Sequence, residues 1–209
     1  MIYGFVIFVR RCIKNKNTMN TLIVYANYKN HSLNFAIKEI LANTLHENGH
    51  EVVVRDLYNI RFNPVLTRKD LEMIDQQMYP SDIMEEQQYI KRADLICFVY
   101  PIWWSGMPAI LKGYIERVFV DGFAFEYENG KPRPLLHGKK VMLFNTTGSK
   151  IVFASDEERK ALSLITEKSI FNFCGMEVAG HHYFHAVSVV DAATRNQYLE
   201  TVKNIAKSI

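Results

Sequence analysis

The run Leu95-Ile96-Cys97-Phe98-Val99-Tyr100, closed by Pro101, constrains this chain more than any other stretch. An unbroken apolar run with no alternation fits a parallel strand buried on both faces. Pro101 has no N–H to donate and ends the ladder. Behind it, Ile102 to Met107 forms a loop carrying Trp103, Trp104, Ser105 and Gly106. Pro108 then opens a helix from Ala109 to Phe119 with apolar residues at helical spacing. An aromatic loop therefore sits between the carboxyl end of a buried strand and a helix, where open α/β sheets bind ligands.

A strand covered on both faces needs helices on both sides, and the rest of the chain supplies them. Thr21 to Ala26 reads as the first buried strand. Ser32 is a good N-cap for a helix that aligns Leu33, Ile37, Ile40, Leu41 and Leu45, and Gly49 lies past its end. Glu51 to Leu57 is the second strand. Tyr58 to Pro80 is less regular, broken at Asn63-Pro64, with a short helix expected within Thr67 to Met78. Ser81 opens a further helix reaching Arg92. After the Pro108 helix, Gly122 to Gly138 is an excursion. Phe123, Phe125 and Tyr127 alternate in it, Asn129-Gly130 marks a tight turn, and Pro132 and Pro134 argue against regular pairing.

Lys139 to Thr146 is the next strand. Ser155 with Glu158 makes a capping box for a helix running to about Phe173, which Gly175 ends. Met176 to Val187 supplies the last strand, and Asp191 caps a final helix bearing Leu199, Val202 and Ile205. Strands alternating with helices predict an α/β, flavodoxin-like three-layer sandwich with right-handed crossovers. Its sheet has five parallel strands in the order 2-1-3-4-5.

Composition narrows the class. The 209 residues, 48% hydrophobic and 22% charged, suit one soluble domain. Residues 1–18 hold Arg10, Arg11, Lys14 and Lys16 and no acid, so the remainder has 21 basic and 22 acidic residues. That balance implies no basic face for nucleic acid or membrane. Residues 1–18 read as an N-terminal extension outside the fold, and 19–209 as the domain. Ile2 to Val9 is too short to span a bilayer and no cleavage site follows, which leaves a membrane-surface anchor as the alternative to an appended tail. Cys12, Cys97 and Cys174 lack metal-ligand spacing, and two of them lie in apolar runs as free thiols of a reducing cytoplasm.

Three loops leave the carboxyl ends of the first, third and fourth strands, which are side by side in the expected order. Asn27 to Ser32 is polar and precedes a helix N-terminus. The N–H groups of Ser32, Leu33 and Asn34 suit a phosphate there, against the plainer reading of a solvated N-cap. Pro101 to Met107 offers flat aromatic surface and backbone N–H groups for a planar heterocycle. Equally, Trp103 and Trp104 fill a core or a dimer interface. Thr146-Thr147-Gly148-Ser149 can aim hydroxyls and N–H groups at an anionic ring edge, Gly148 permitting close approach, unless it is an ordinary strand-to-helix turn. Their convergence on one crevice favours binding. His181, His182 and His185 have no carboxylate beside them, so no metal site is expected. Asp156-Glu157-Glu158 reads as helix-end charge.

Pro101, Trp104, Pro108, Ala109, Leu111, Lys112, Gly113, Glu116, Arg117, Val118 and Phe119, with Gly122-Phe123-Ala124-Phe125-Glu126-Tyr127 after them, resemble the NAD(P)H:quinone oxidoreductase family. Thr146-Thr147-Gly148 resembles that family's T-T-G loop, Ser32-Leu33-Asn34 its S-x-N phosphate loop, and Phe173-Cys174-Gly175-Met176 its segment before the last strand. The resemblance extends from Met19 to about Ile205.

It implies a flavin, FMN or alternatively FAD, NAD(P)H as donor, ping-pong two-electron reduction of a small quinone-like acceptor, and a homodimer with the site at its interface. On this resemblance Ser32, Leu33 and Asn34 hold flavin phosphate with Asn27 nearby. Pro101, Ile102, Trp103 and Trp104 contact the ring system, and Thr146, Thr147, Gly148 and Ser149 face its pyrimidine side. Trp104, Phe125 and Tyr127 wall the substrate pocket, the latter two from the partner subunit. Trp104, Tyr127 and Gly148 are the expected catalytic set, the N–H groups of Gly148 and Ser149 stabilising charge near flavin N1.

The sequence departs from the pattern after Gly148. Ser149 replaces a second glycine, and Lys150 to Ser155 lacks the tyrosine and histidine that the DT-diaphorase branch carries. Two other functions stand as alternatives: a regulatory flavoprotein subunit of a potassium-efflux-type membrane transporter, as in shorter members of the family, and an electron-carrier flavodoxin. The near-neutral charge and Asn27-Tyr28-Lys29-Asn30-His31-Ser32 argue against the latter.

Overall fold

The computed structural model describes residues 18–148 and 156–209. Strands β1 (Asn20–Tyr25), β2 (Glu51–Asp56), β3 (Leu95–Pro101), β6 (Lys140–Thr146) and β7 (Glu177–Phe184) form a parallel five-stranded sheet in the order β2-β1-β3-β6-β7. Without the excursion hairpin this is the expected 2-1-3-4-5 order. Helix α1 (Leu33–Glu47) follows β1, α2 (Arg68–Ile74) and α3 (Ser81–Arg92) follow β2, and α4 (Ala109–Val118) follows β3. Helix α5 (Asp156–Ser163) continues into a π-helix (Leu164–Asn172), and α6 (Ala192–Lys207) ends the chain. The expectations for residues 1–17, for Ser149 and for the Ser155 half of a capping box fall outside the described residues.

β3 is buried along its whole length, which is why its sequence never alternates. Its odd and even positions feed separate cores. Ile96, Phe98 and Tyr100 join Leu22 and Val24 under α3, α4 and the π-helix. Leu95, Cys97 and Val99 join Ile23 and Tyr25 under α1 and α6. The cap at Ser32 forms as its residue type requires, its side chain accepting from Phe35 N. Thr67 and Asp70 close a reciprocal capping box on α2. At Gly113 in α4 a Cβ would come within 2.1 Å of Pro64 O, so the irregular segment after β2 is seated directly on this helix.

α3 begins at Ser81 and ends at Arg92 as read from the sequence, with Pro80 at the cap position making no side-chain hydrogen bond. Three local expectations need correction. The helix expected to reach Phe173 changes to π geometry from Leu164. The last strand is shorter than Met176 to Val187, because Ala186 turns the chain with a φ of 55°. Pro132 and Pro134 do pair, in the hairpin β4 (Phe125–Glu128) and β5 (Lys131–Pro134), opposite Tyr127 and Phe125. They are two residues apart, so both occupy the class of pair that exchanges no N–H bond. Asn129 and Gly130 turn that hairpin with positive φ at both positions.

Candidate functional site

At the first loop, Asn27 orders the chain that leads into α1. Its Oδ1 accepts from Lys29 N at 3.2 Å, and its Nδ2 donates to Ser32 Oγ at 3.1 Å. The N-terminus of α1 therefore opens from a fixed turn, and Ser32, Leu33 and Asn34 all line a crevice beside it. Asn34 is buried and donates from Nδ2 to Thr146 Oγ1 at 2.7 Å. Its Oδ1 is one of two buried side-chain polar atoms with no partner among the described residues.

The aromatic loop after β3 is a miniature hairpin. Trp103 and Gly106 exchange both backbone hydrogen bonds at 3.1 Å, leaving Trp104 and Ser105 at the tip with φ of 49° and 55°. Such paired left-handed positions ordinarily take asparagine and glycine. The consequence is an indole held clear of the body: Trp104 is 102% exposed, against 39% for Trp103. Trp103 leans toward Tyr28, ring centroids 6.1 Å apart, and Tyr28 toward Tyr58 at the same distance. Ile102 N donates to Thr146 O at 2.8 Å, which ties this loop to the exit of β6.

At that exit Thr146 and Thr147 are buried and Gly148 is exposed. Thr147 N donates to Phe184 O, and the Thr147 hydroxyl lies 3.3 Å from His185 Nδ1. Among the described residues a Cβ on Gly148 would meet nothing within 4 Å, so their packing does not require glycine there.

These loops share one crevice of about 980 Å³, a size that suits a cofactor. Asn27, Ser32, Leu33, Asn34, Pro101, Ile102, Trp103, Trp104, Thr146 and Gly148 all line it. Thr147 does not, and Ser149 lies outside the described residues. Tyr28, Lys29 and His31 of the first loop and Ala36 of α1 add to the lining, and the rest of the wall was not read from sequence: Val187, Ser188 and, on α6, Ala192, Arg195, Asn196 and Leu199. Arg195 is exposed there with no ion-pair partner among the described residues. The packing of α6 beside α1 on one face of the sheet brings it in.

A family model described as flavodoxin-like fold matches residues 19–206. A Haemophilus influenzae protein named as an NAD(P)H oxidoreductase is 38% identical over 187 residues, covering 87% of this chain and 91% of its own. The chain belongs to the NAD(P)H:quinone oxidoreductase family. The Rattus norvegicus NAD(P)H dehydrogenase [quinone] 1 is 33% identical across 90% of this chain and 76% of its own. Among solved structures, the NAD(P)H:quinone oxidoreductase from Methanothermobacter marburgensis superposes with a TM-score of 0.75 at 25% identity, covering 91% of this chain and 98% of its own.

Two residues of the expected family pocket do not reach the crevice within one chain. Phe125 packs on Phe173 and Tyr127, with centroids 5.1 and 5.9 Å away, and Tyr127 is 63% exposed. The histidines also differ from expectation. A carboxylate does join them: Glu167 Oε1 lies 2.8 Å from His181 Nδ1, while Asn145 Oδ1 lies 2.6 Å from His181 Nε2. Burial pushes the His181 pKa down, and Glu167 opposes this. Glu167 lies on the π-helix and His181 on β7, so the contact joins two elements and no periodicity within one of them reveals it. No metal-binding cluster of His, Cys, Asp or Glu occurs among the described residues. No helix among them is long and apolar enough to cross a membrane.

Proposed function

We propose that the chain is a flavin-dependent oxidoreductase that takes hydride from NAD(P)H and passes it to quinones or similar electrophiles. The observation that carries this reading is the convergence of the α1 N-terminus, the Ile102–Trp104 backbone and Gly148 on one crevice. The residues present fit a flavin. The α1 N-terminus directs its unpaired N–H groups and the positive end of its dipole at the crevice, where a phosphate would be held. Arg195, which lines the same crevice from α6, adds a cation. Asn34 Oδ1 is an unpaired acceptor at the same place, and Gly148 leaves open space where a ring edge would lie.

When bound, the flavin supplies the two-electron chemistry. The protein's part is to hold it and to shape the pocket above it. Trp104 would wall that pocket, and the Gly148 N–H, without a partner among the described residues, would face developing negative charge. FMN is the form we assign, with FAD as the alternative.

A homodimer completes this reading. An indole as exposed as Trp104 and, away from the crevice, the half-buried Phe125 with the exposed Tyr127 are the kind of apolar surface a second protomer covers. Buried free thiols at Cys97 and Cys174 support a reducing, cytoplasmic setting.

The test is purification, identification of the extracted flavin by chromatography, and turnover of NADH and NADPH against a panel of quinones. A bound or titratable flavin with quinone-dependent oxidation of a nicotinamide is expected. Protein that takes up neither FMN nor FAD would sink the proposal.

A further inference from the structure

The exits of β6 and β7 are joined beyond what a parallel ladder requires. Thr147 N donates to Phe184 O at 3.0 Å, and Val187 N donates back to Thr147 O at 2.9 Å. Ser188 Oγ donates to Gly148 O at 2.8 Å. Ala186 makes this possible by adopting a φ of 55°, a conformation that residues with a Cβ generally avoid. Between these backbone ties Thr147 Oγ1 lies 3.3 Å from His185 Nδ1.

The His185 ring is itself held. Tyr183 lies parallel to it with centroids 6.1 Å apart, and Tyr198 donates its hydroxyl to the His185 carbonyl at 3.2 Å. The threonine it meets is buried and forms no part of the crevice wall, whereas its neighbours Thr146 and Gly148 do. Burial pushes the His185 pKa down, which favours a neutral ring beside the hydroxyl.

We infer that His185 is a positioning residue for the cofactor loop: it holds the Thr147 hydroxyl, and so keeps the Thr147 side chain turned away and the Gly148 backbone turned toward the crevice. It touches neither cofactor nor substrate. The inference rests on the flavin reading and extends it to a residue that the three loops do not contain. One hydrogen bond sets the scale, so the effect on binding is of the order of tenfold.

The experiment compares wild type, His185→Phe, His185→Gln, Thr147→Val and the His185→Phe/Thr147→Val pair. Three quantities are read: flavin affinity of the apoprotein, midpoint potential of the bound flavin, and amide hydrogen exchange at Gly148 in the apoprotein. His185→Phe retains a stacked ring and loses the nitrogen. It should weaken flavin binding about tenfold, shift the potential, and speed exchange at Gly148. His185→Gln, which can still meet the hydroxyl, should restore affinity to within about threefold. The paired variant should behave like either single one, because both break one contact.

Wild-type affinity, potential and exchange in His185→Phe would overturn the inference, as would additive effects in the paired variant. If His185→Phe does not fold, Thr147→Val keeps the imidazole and carries the same expectations and the same overturning result. Wild-type protein that binds no flavin overturns the proposed function along with this inference. Flavin binding indifferent to both substitutions overturns the inference alone.

Discussion

Asn34 donates from Nδ2 to Thr146 Oγ1 at 2.7 Å, joining the first turn of α1 to the end of β6 across 112 residues of sequence. Both residues are buried, and both line the crevice. This one bond fixes the spacing between the helix N-terminus assigned to a phosphate and the loop assigned to a ring edge. Thr146→Val retains the shape but leaves the Asn34 amide with neither group paired. The expected cost is roughly 1–3 kcal/mol, the desolvation penalty of a stranded buried group. A urea midpoint for the apoprotein unchanged from wild type would count against this.

Gly148 separates binding from folding. Among the described residues a Cβ there meets nothing within 4 Å. Gly148→Ala should therefore leave the apoprotein's thermal midpoint within about 2 °C of wild type, a shift that corresponds to about 0.5–1 kcal/mol for a domain of this size. Flavin affinity should drop, because the methyl group enters the crevice. An alanine variant that binds flavin as wild type does would remove Gly148 from the site. One that melts early without a change in affinity would make it a structural glycine.

Gly113 is the opposite case. Its Cβ would stand 2.1 Å from Pro64 O and 2.5 Å from Pro64 Cβ. Backbone, not a flexible side-chain end, occupies the space. Gly113→Ala should destabilise by about 1–3 kcal/mol or more through overpacking, outweighing the helix propensity gained by alanine. A denaturation midpoint equal to or above wild type would show that the segment after β2 can lift off α4 at little cost.

What could be read from sequence was set by local chemistry. Ser32 caps because a hydroxyl must meet orphan N–H groups, Pro101 ends a ladder because it lacks a donor, and the apolar run of β3 reports burial on two faces. Those rules placed ten crevice residues on three loops. Arg195 and Leu199 were not legible, because nothing in a helix sequence states which neighbour it packs beside. The Glu167–His181 contact, 14 residues apart, joins the π-helix to β7, and the packing of a helix on a particular strand is not written in the periodicity of either. The full exposure of Trp104 was likewise hidden, since it follows from left-handed φ at two residues that rarely adopt it.

The histidines of β7 predict a dependence of stability on pH. Burial lowers the pKa of His181, His182 and His185 below the ordinary imidazole value of 6.5, with Glu167 opposing the effect at His181. The unfolded chain therefore takes up protons first as pH falls, and stability rises with pH wherever the unfolded state binds more protons. The contribution is complete above 6.5 and is lost as pH falls through the lowered folded values. Asp70 acts in a lower window. Burial raises its pKa, but the Thr67 hydrogen bonds and Arg117 outweigh that and hold it below 3.8. Its share is lost only below that value. Urea midpoints should thus decline between about pH 7 and pH 5, before carboxylates titrate. His181→Gln should flatten that decline by removing one of the three groups. A midpoint constant over the interval, or a slope unaltered by His181→Gln, would mean that the ring takes up its proton as readily in the fold as in the unfolded chain, with Glu167 offsetting burial.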